Sequence, residues 1–360
     1  ALKTLRRACL NDDAARRFRY ESEILARLAH PAIAQVYETG TSDEGPWFAM
    51  ELADGGTLRE RRMRSWDQAR GLLASLLRAL AHAHARGIVH RDIKPANVLF
   101  AGDIPKLTDF GMVFSVDPAG EDGPAGGGTP AYMAPEQFEG ERWDLGPWTD
   151  LYALGCLAYA VVVGKRPFPG SGWVRLFNAH WHAPIPPVEP LFEVPEGFED
   201  WLHAMMAKNR HHRFQRAADA LHALLSLDEP TTIGGLRGAR RDAATTTASR
   251  RPAYPRPPLP HFRERSGAVR ENLAVGLGLY GLRSMPFVGR NQERARLWEL
   301  LAAVMRDRRP RAVVLRGPAG VGKSRLAQWL LQRTHEVGAA SGFRATHAPL
   351  PAPLDGLPGL

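Results

Sequence analysis

The sequence predicts an α+β fold at the front of the chain, followed by the beginning of an α/β domain at the back. In the front, amphipathic helix patterns occur irregularly among brief apolar runs that indicate strands. At the back, one apolar run leads through a glycine-rich stretch into a helix pattern, and a proline-rich segment separates the two units. We therefore expect a front domain at 1–227, a flexible linker at 228–283 and a second domain at 284–360.

The composition predicts a soluble, cytoplasmic protein. Hydrophobic residues make up 44% of the 360 residues, which is enough for a sizeable core and excludes disorder throughout. The longest nearly uncharged apolar stretch, 151–164, is too short to cross a bilayer, and the N-terminus has no signal-peptide pattern. Because Cys9 and Cys156 lie outside any ligand-like spacing, we expect neither a disulfide framework nor a zinc site.

The net charge of +9 belongs to the back of the chain, since residues 1–227 hold 25 Lys and Arg against 28 Asp and Glu. Clustered arginine is compatible with nucleic-acid binding. The linker, however, offers only Tyr254 and Phe262 for stacking on bases before residue 273. Solvated linker charge is the better interpretation, and no specific nucleic-acid or membrane partner is predicted.

Two helices are predicted in the front unit. Asp12 or Asp13 can cap the first, which ends at His30-Pro31, and Ser65 with Gln68 forms a capping box for the second, which ends near residue 87. Their apolar faces are Phe18, Ile24, Leu25 and Leu28 in the first and Leu72, Leu73, Leu76, Leu77 and Leu80 in the second. Brief strands are expected at 88–89, 98–100 and 106–108, around a polar loop.

That loop carries the most specific signal in the chain. It reads His90-Arg91-Asp92-Ile93-Lys94-Pro95-Ala96-Asn97, and Asp109-Phe110-Gly111 and Ala134-Pro135-Glu136 follow it. With Ala1-Leu2-Lys3 and Glu21, residues 1–225 resemble serine/threonine protein kinases, and bacterial members in particular. The resemblance implies the two-lobed α+β kinase fold. The small lobe is incomplete, because the glycine-rich loop and two strands that precede the lysine in the family are missing, and we expect truncation.

The resemblance also implies ATP and Mg²⁺ as cofactors and Ser or Thr hydroxyls of proteins as acceptors. Asp92 would accept the proton of the acceptor hydroxyl, and Lys94 would place a positive charge beside the transferring phosphoryl group. Lys3, held by Glu21, would bind the α- and β-phosphates.

The same resemblance implies further roles in binding the nucleotide and its metal. Asn97 and Asp109 would supply oxygen ligands to Mg²⁺. Met50 would guard the back of the adenine pocket, and the backbone of Glu51 to Ala53 would bind adenine.

Structural roles follow from the resemblance as well. Asp150 would hold the backbone of the catalytic loop, and Arg213 would pair with Glu136. Phe110 and Leu25 would stack with His90, although ordinary core packing explains them equally well.

The back unit contains a phosphate-binding loop. Val313 to Arg316 is predicted as a strand, and Gly317-Pro318-Ala319-Gly320-Val321-Gly322-Lys323-Ser324 leads into a helix. The backbone around Gly317, Gly320 and Gly322 would wrap the phosphates, Lys323 would reach the β- and γ-phosphates, and Ser324 would bind Mg²⁺. Upstream, Phe287-Val288-Gly289-Arg290 with Glu293 resembles the lead-in of AAA and STAND signalling ATPases. Nucleotide binding is better supported than hydrolysis, because no acidic strand end follows, and this domain is also expected to be cut.

Two alternatives remain open beside a kinase coupled to an ATPase. The front unit could be a pseudokinase scaffold, which the intact catalytic set argues against, or the kinase could regulate a nucleotide-switched assembly. If autophosphorylation occurs, it should favour the linker hydroxyls of Thr245, Thr246, Thr247 and Ser249, because arginines flank them.

Overall fold

The computed structural model describes residues 1–5, 12–43, 45–110, 130–138, 144–228, 259–260, 287 and 289–345. The linker expected at 228–283, apart from residues 228, 259 and 260, lies outside the described residues. So do the linker hydroxyls of residues 245–249 and Val288 of the ATPase lead-in.

A small lobe opens the chain. Strands β1 (Leu2–Thr4), β2 (Val36–Ser42) and β3 (Gly45–Met50) form an antiparallel sheet in the order β1-β3-β2. Helix α1 (Asp12–Arg27) packs on this sheet, with the rings of Phe18 and Phe48 4.9 Å apart. The predicted apolar face of α1 is buried, and it positions the polar residue Glu21 toward β1.

A larger helical lobe follows residue 53. Its longest helices are α2 (Trp66–His84) and α4 (Pro147–Val163), and β4 (Val98–Ala101) pairs with β5 (Ile104–Leu107) beside them. The shorter helices are α3 (Pro135–Phe138), α5 (Trp173–His182), α6 (Phe198–Met205) and α7 (Ala217–Leu225). The leucine stripe predicted for α2 is buried, and α4 is buried around most of its circumference. Thus α4 forms the centre of this lobe and can anchor loops from several sides.

The cap of α2 differs in one detail from the prediction. The Ser65 hydroxyl accepts a hydrogen bond from the Gln68 N–H at 3.4 Å, as a capping residue should. The side chain of Gln68 reaches past Ser65, however, and accepts from the N–H of Arg64 at 2.9 Å. The helix start was therefore predicted correctly, although the return bond goes to the preceding residue.

The strand predicted at Ile88-Val89 was wrong. The N–H of Ile88 donates to the carbonyl of Ala83 at 3.1 Å, so the chain wraps around the end of α2 instead of extending. Gly87, at φ 72°, makes this turn possible because a left-handed conformation costs glycine little. The strands predicted at 98–100 and 106–108 are present as β4 and β5, each displaced by one or two residues.

In the back unit, the structure describes two helices, α8 (Asn291–Asp307) and α9 (Lys323–Glu336). The strand predicted at 313–316 was wrong for this structure. Val313 and Val314 are 46% and 74% exposed, and no described residue pairs with them. A strand needs a neighbour that takes up its backbone hydrogen bonds, and the described part of this unit offers none.

None of the helices in the described part of the chain combines the length and the apolar character that crossing a membrane requires.

Candidate active site

Lys3 joins three segments that are far apart in sequence. Its Nζ lies 2.7 Å from Oε1 of Glu21 on α1 and 2.6 Å from Oδ1 of Asp109 after β5. Burial lowers the pKa of Lys3, but the two carboxylates outweigh burial and the net shift is upward. Burial also raises the pKa of Glu21 to about 7, against the opposing effect of Lys3. The small lobe and the end of β5 are therefore held together by one ammonium group.

A second cluster lies on the loop between α2 and β4. Lys94 Nζ is 2.7 Å from Oδ2 of Asp92, and the side-chain amide of Asn97 donates to the same oxygen at 2.8 Å. Asn97 also donates to the backbone carbonyl of Asp92 at 2.8 Å. Lys94 and Asn97 therefore fix the Asp92 side chain through its Oδ2 atom, and the second bond from Asn97 fixes the backbone beside it.

Asp150, at the start of α4, holds the backbone of this loop. Its two carboxylate oxygens accept from the N–H groups of His90 and Arg91 at 2.8 and 2.7 Å. The predicted contact between Asp150 and the loop backbone is thus confirmed. His84 Nε2 lies 2.8 Å from Oδ2 of Asp150. Burial alone would raise the pKa of Asp150, but the bond to His84 and the nearby His90 outweigh it and the pKa is lowered.

Two residues of the site adopt left-handed backbone conformations that are unusual for side chains other than glycine. Arg91 has φ 69° and Asp109 has φ 61°. Such conformations cost of order 1 kcal/mol or more each and persist where the surroundings enforce them. The backbone N–H of Arg91 donates to Asp150, and the side chain of Asp109 is paired with Lys3. The strained positions lie on the residue before Asp92 and on Asp109 itself.

The remaining oxygens suit a magnesium ion. The side-chain amide nitrogen of Asn97 binds Asp92, so its Oδ1 atom is the side-chain acceptor, and Asp109 has a second carboxylate oxygen, Oδ2, besides the Oδ1 atom that binds Lys3. Hard oxygen ligands of this kind are those that Mg²⁺ prefers. No group of three or more His, Cys, Asp or Glu side chains that could hold a metal occurs among the described residues. A metal at this pair would therefore need oxygens from water or phosphate to complete its coordination.

The predicted adenine-binding segment follows β3. Met50 ends the strand and is buried, whereas Glu51 to Ala53 belong to no regular element. The Glu51 side chain is anchored by Lys106, whose Nζ lies 2.6 Å from its Oε1 atom. This partner was missed from the sequence, because a lysine in a short strand ordinarily points to solvent and Lys106 is only 8% exposed.

A buried ion pair in the large lobe links α3 to the segment before α7. Arg213 donates to both carboxylate oxygens of Glu136, at 2.7 and 2.9 Å, and neither side chain is exposed by more than 5%. Thr149 donates to Glu136 as well, at 2.9 Å. The predicted pairing of Arg213 with Glu136 is confirmed. The ring of His90 packs on Phe110 at 4.4 Å with Leu25 buried, as expected from either interpretation.

The loop predicted to bind phosphate in the back unit leads directly into α9. Gly317, Gly320 and Gly322 have φ 156°, 79° and 86°, conformations that side chains rarely adopt. Lys323, the first residue of α9, folds back and donates to the carbonyls of Gly317 and Pro318 at 2.8 and 2.7 Å.

Two further residues define the surroundings of this loop. Ser324 is exposed beside it, at the N-terminal end of α9 where anions are favoured. Arg290, of the predicted ATPase lead-in, donates to the Val321 carbonyl at 2.7 Å. The lead-in therefore contacts the loop that it precedes in sequence by about thirty residues.

Comparisons with known proteins find a similar family for each of the two units. The profile of the protein kinase domain matches residues 1–224, and the profile of the AAA ATPase domain matches residues 286–352. The chain is 38% identical over 224 residues to serine/threonine-protein kinase PknA of Mycobacterium tuberculosis, covering 58% of this chain and 51% of that protein. It is 32% identical over 274 residues to serine/threonine-protein kinase PknB of Mycolicibacterium smegmatis, covering 72% of this chain and 42% of that protein.

The chain thus spans about half the length of the curated relatives that it matches. The resemblance to bacterial serine/threonine kinases is confirmed, and the similarity to AAA ATPases agrees with the predicted second domain. Since the kinase profile covers more than half of the sequence, and the Lys3, Asp92 and Asp150 contacts are formed, the chain belongs to the protein kinase family.

Proposed function

We propose that the front unit transfers the γ-phosphate of ATP to Ser and Thr hydroxyls of proteins, and that the back unit binds a second nucleotide. The observation that carries the first part is the ion pair of Lys3 with Glu21 across 18 positions and with Asp109 across 106. A lysine that binds the phosphates of a nucleotide in this family is held by such a glutamate, close to an aspartate that binds the metal.

Asp92 serves as the group that receives the proton of the acceptor hydroxyl. Lys94 and Asn97 hold its Oδ2 atom, so Oδ1 can accept a hydrogen bond from the acceptor hydroxyl and orient the hydroxyl oxygen for attack. Lys94, adjacent to that hydroxyl, supplies positive charge that stabilises the transferring group. Phosphoryl transfer depends mainly on such positioning and charge neutralisation, and both are provided by a preformed loop.

Mg-ATP supplies the transferable phosphoryl group together with a cation that neutralises its charge. Asn97 and Asp109 would hold the metal through oxygens that the protein contacts leave available. Lys3 would bind the α- and β-phosphates, and the backbone of Glu51 and Ala53 would bind adenine. The intact set of these residues favours catalysis over a scaffold that only binds partners.

The metal assignment predicts a specific loss when Asp109 is changed. Asp109→Asn should raise the Mg²⁺ concentration needed for half-maximal phosphotransfer by about tenfold or more, because one anionic ligand is removed. Asp103→Asn is the matched control, since that carboxylate is exposed and its ion-pair partner among the described residues is Arg61. Titration of activity with Mg²⁺ in both variants measures the difference. An unchanged Mg²⁺ requirement in Asp109→Asn would refute the assignment.

The second nucleotide site predicts a change in stoichiometry. Lys323→Ala should abolish one of two nucleotide-binding sites and leave the other unchanged, because Lys323 and Lys3 belong to separate clusters. The reciprocal variant, Lys3→Ala, should abolish the other site. Equilibrium binding of ATP to the parent protein and to each variant measures the number of nucleotides bound per chain. One bound nucleotide in the parent protein as well as in both variants would contradict a second site.

A further inference from the structure

The end of the phosphate-loop helix lies against the large lobe of the kinase. Helix α9 contacts both α2 and α7, and its last residue, Glu336, has only 10% of its side chain exposed. Oε1 of Glu336 lies 2.7 Å from Nη1 of Arg86 and 3.1 Å from Nδ1 of His82, at the C-terminal end of α2. The contact joins residues that are 250 positions apart in sequence.

Helix electrostatics do not favour a glutamate at this position. The C-terminal end of a helix carries partial negative charge, so a carboxylate on the last residue of α9 is destabilising by itself. Burying that carboxylate adds a desolvation cost. Burial raises the pKa of Glu336, but the hydrogen bonds from His82 and Arg86 outweigh burial and hold the pKa far below its usual range. Arg333, on α9 itself, also donates to Oε2 of Glu336 at 3.1 Å, so partners on the kinase lobe and on α9 together offset both costs.

The α2 side of the contact is arranged to receive a carboxylate. His82 lies in the last turn of α2, and Arg86 follows two residues after the helix ends. Arg86 also donates to the carbonyl of His82 at 2.8 Å, which fixes the guanidinium beside Glu336. His84 lies on the opposite face and binds Asp150, the residue that holds the catalytic loop. One short stretch of α2 thus contacts α9 on one side and supports the kinase active site on the other.

The rest of the last turn of α9 is covered as well. Thr334 is only 4% exposed, and its hydroxyl donates to the Leu331 carbonyl at 2.8 Å. Burial lowers the pKa of His335, and the nearby side chains of His84 and Arg216 lower it further. Since Arg216 immediately precedes α7, the turn is enclosed between α2 and α7.

We propose that this face of the kinase lobe, formed by His82 and Arg86, is the docking surface for the last turn of α9, and that Glu336 fixes the nucleotide-binding segment to it. Helix α9 begins at Lys323 of the phosphate loop and ends at Glu336. Its 14 residues span about 21 Å, so one helix leads from the second nucleotide site to the kinase lobe. The docking surface goes beyond the proposed phosphotransfer, because neither His82 nor Arg86 belongs to the catalytic cluster.

Hydrogen exchange in the full chain tests the docking surface directly. Glu336→Gln and Arg86→Gln should each accelerate amide exchange in the last two turns of α9 by at least about tenfold, because an undocked helix end opens more easily. Arg86→Gln is the decisive variant, since it leaves the sequence of α9 unchanged and can act on this helix only through the contact. Glu299→Gln, which removes an exposed ion pair with Arg296 on α8, is the matched control and should leave α9 exchange unchanged.

A double variant separates docking from independent effects. Arg86→Gln combined with Glu336→Gln should accelerate exchange no more than Glu336→Gln alone, because the change at Glu336 already removes the contact with Arg86. Parent-like exchange of α9 in Arg86→Gln would overturn the proposal, and so would an additive acceleration in the double variant. Neither outcome would bear on phosphotransfer, so the failure of this proposal is distinguishable from failure of the proposed function.

Discussion

Asp92→Asn should lower the rate of phosphotransfer by roughly 10²–10⁴-fold while leaving Mg-ATP affinity almost unchanged. Asparagine preserves the shape of the side chain but cannot accept a proton from the acceptor hydroxyl. The nucleotide would be held by other groups, namely Lys3, Asn97 and Asp109. Lys3 and Asp109 are positioned by their contacts with each other and with Glu21, whereas Asn97 contacts residue 92 through its side-chain amide. Single-turnover transfer and equilibrium ATP binding, measured on the same preparation, separate the two effects.

A matched control for this variant is Asp54→Asn, because Asp54 is an exposed acidic residue that lies after the predicted adenine-binding segment and outside the catalytic cluster. It should transfer phosphate at the rate of the parent protein. Transfer by Asp92→Asn at a rate within about twofold of the parent would remove Asp92 from the proposed mechanism, since general-base catalysis contributes far more than that.

Arg213→Met should lower the free energy of unfolding of the kinase unit by about 3–5 kcal/mol. The substitution leaves the Glu136 carboxylate buried without its cationic partner. It also removes the donors to the carbonyls of Ala207 and Lys208, at 2.6 and 3.0 Å, and the stacking of the guanidinium on Tyr152 at 4.7 Å. Because domains of this size are commonly only 5–15 kcal/mol stable, this loss is a large share of the total.

The surface ion pair of Lys165 with Glu189 provides the comparison for this prediction. Its groups are 3.5 Å apart and more than half exposed, so Lys165→Met should change the free energy of unfolding by less than about 1 kcal/mol. Urea denaturation followed through the far-ultraviolet signal measures both variants. Equal losses in Arg213→Met and Lys165→Met would show that the buried pair does not support the fold.

The sequence predicts the chemistry of this chain better than the contacts that support it. Asp92, Lys94 and Asn97 stand within one loop, so their spacing alone brings them together. Lys3, Glu21 and Asp109 are distant in sequence, and only the resemblance to kinases indicated that they would meet. The same resemblance indicated the pairing of Arg213 with Glu136, which has no local signal in the sequence.

The structure supplied the contacts that have no sequence motif. From sequence, the basic residues at the end of α2 look like charges that stabilise the C-terminal end of a helix. In the structure, His82 and Arg86 contact Glu336, and His84 contacts Asp150. The anchoring of Glu51 by Lys106 was missed for the same reason, because a charge in an amphipathic element usually faces water. The two strand predictions at 88–89 and 313–316 were wrong because an apolar run does not reveal whether a partner strand exists.

The identity of the residue that receives the γ-phosphate tests the central claim most directly. Full-length protein should be incubated with γ-labelled ATP, Mg²⁺ and a mixed protein substrate, and the labelled amino acids should be separated after hydrolysis. The account predicts label on phosphoserine and phosphothreonine, none on phosphotyrosine, and loss of the label in Asp92→Asn. Tight ATP binding without label on any protein hydroxyl would contradict it and would favour a pseudokinase scaffold.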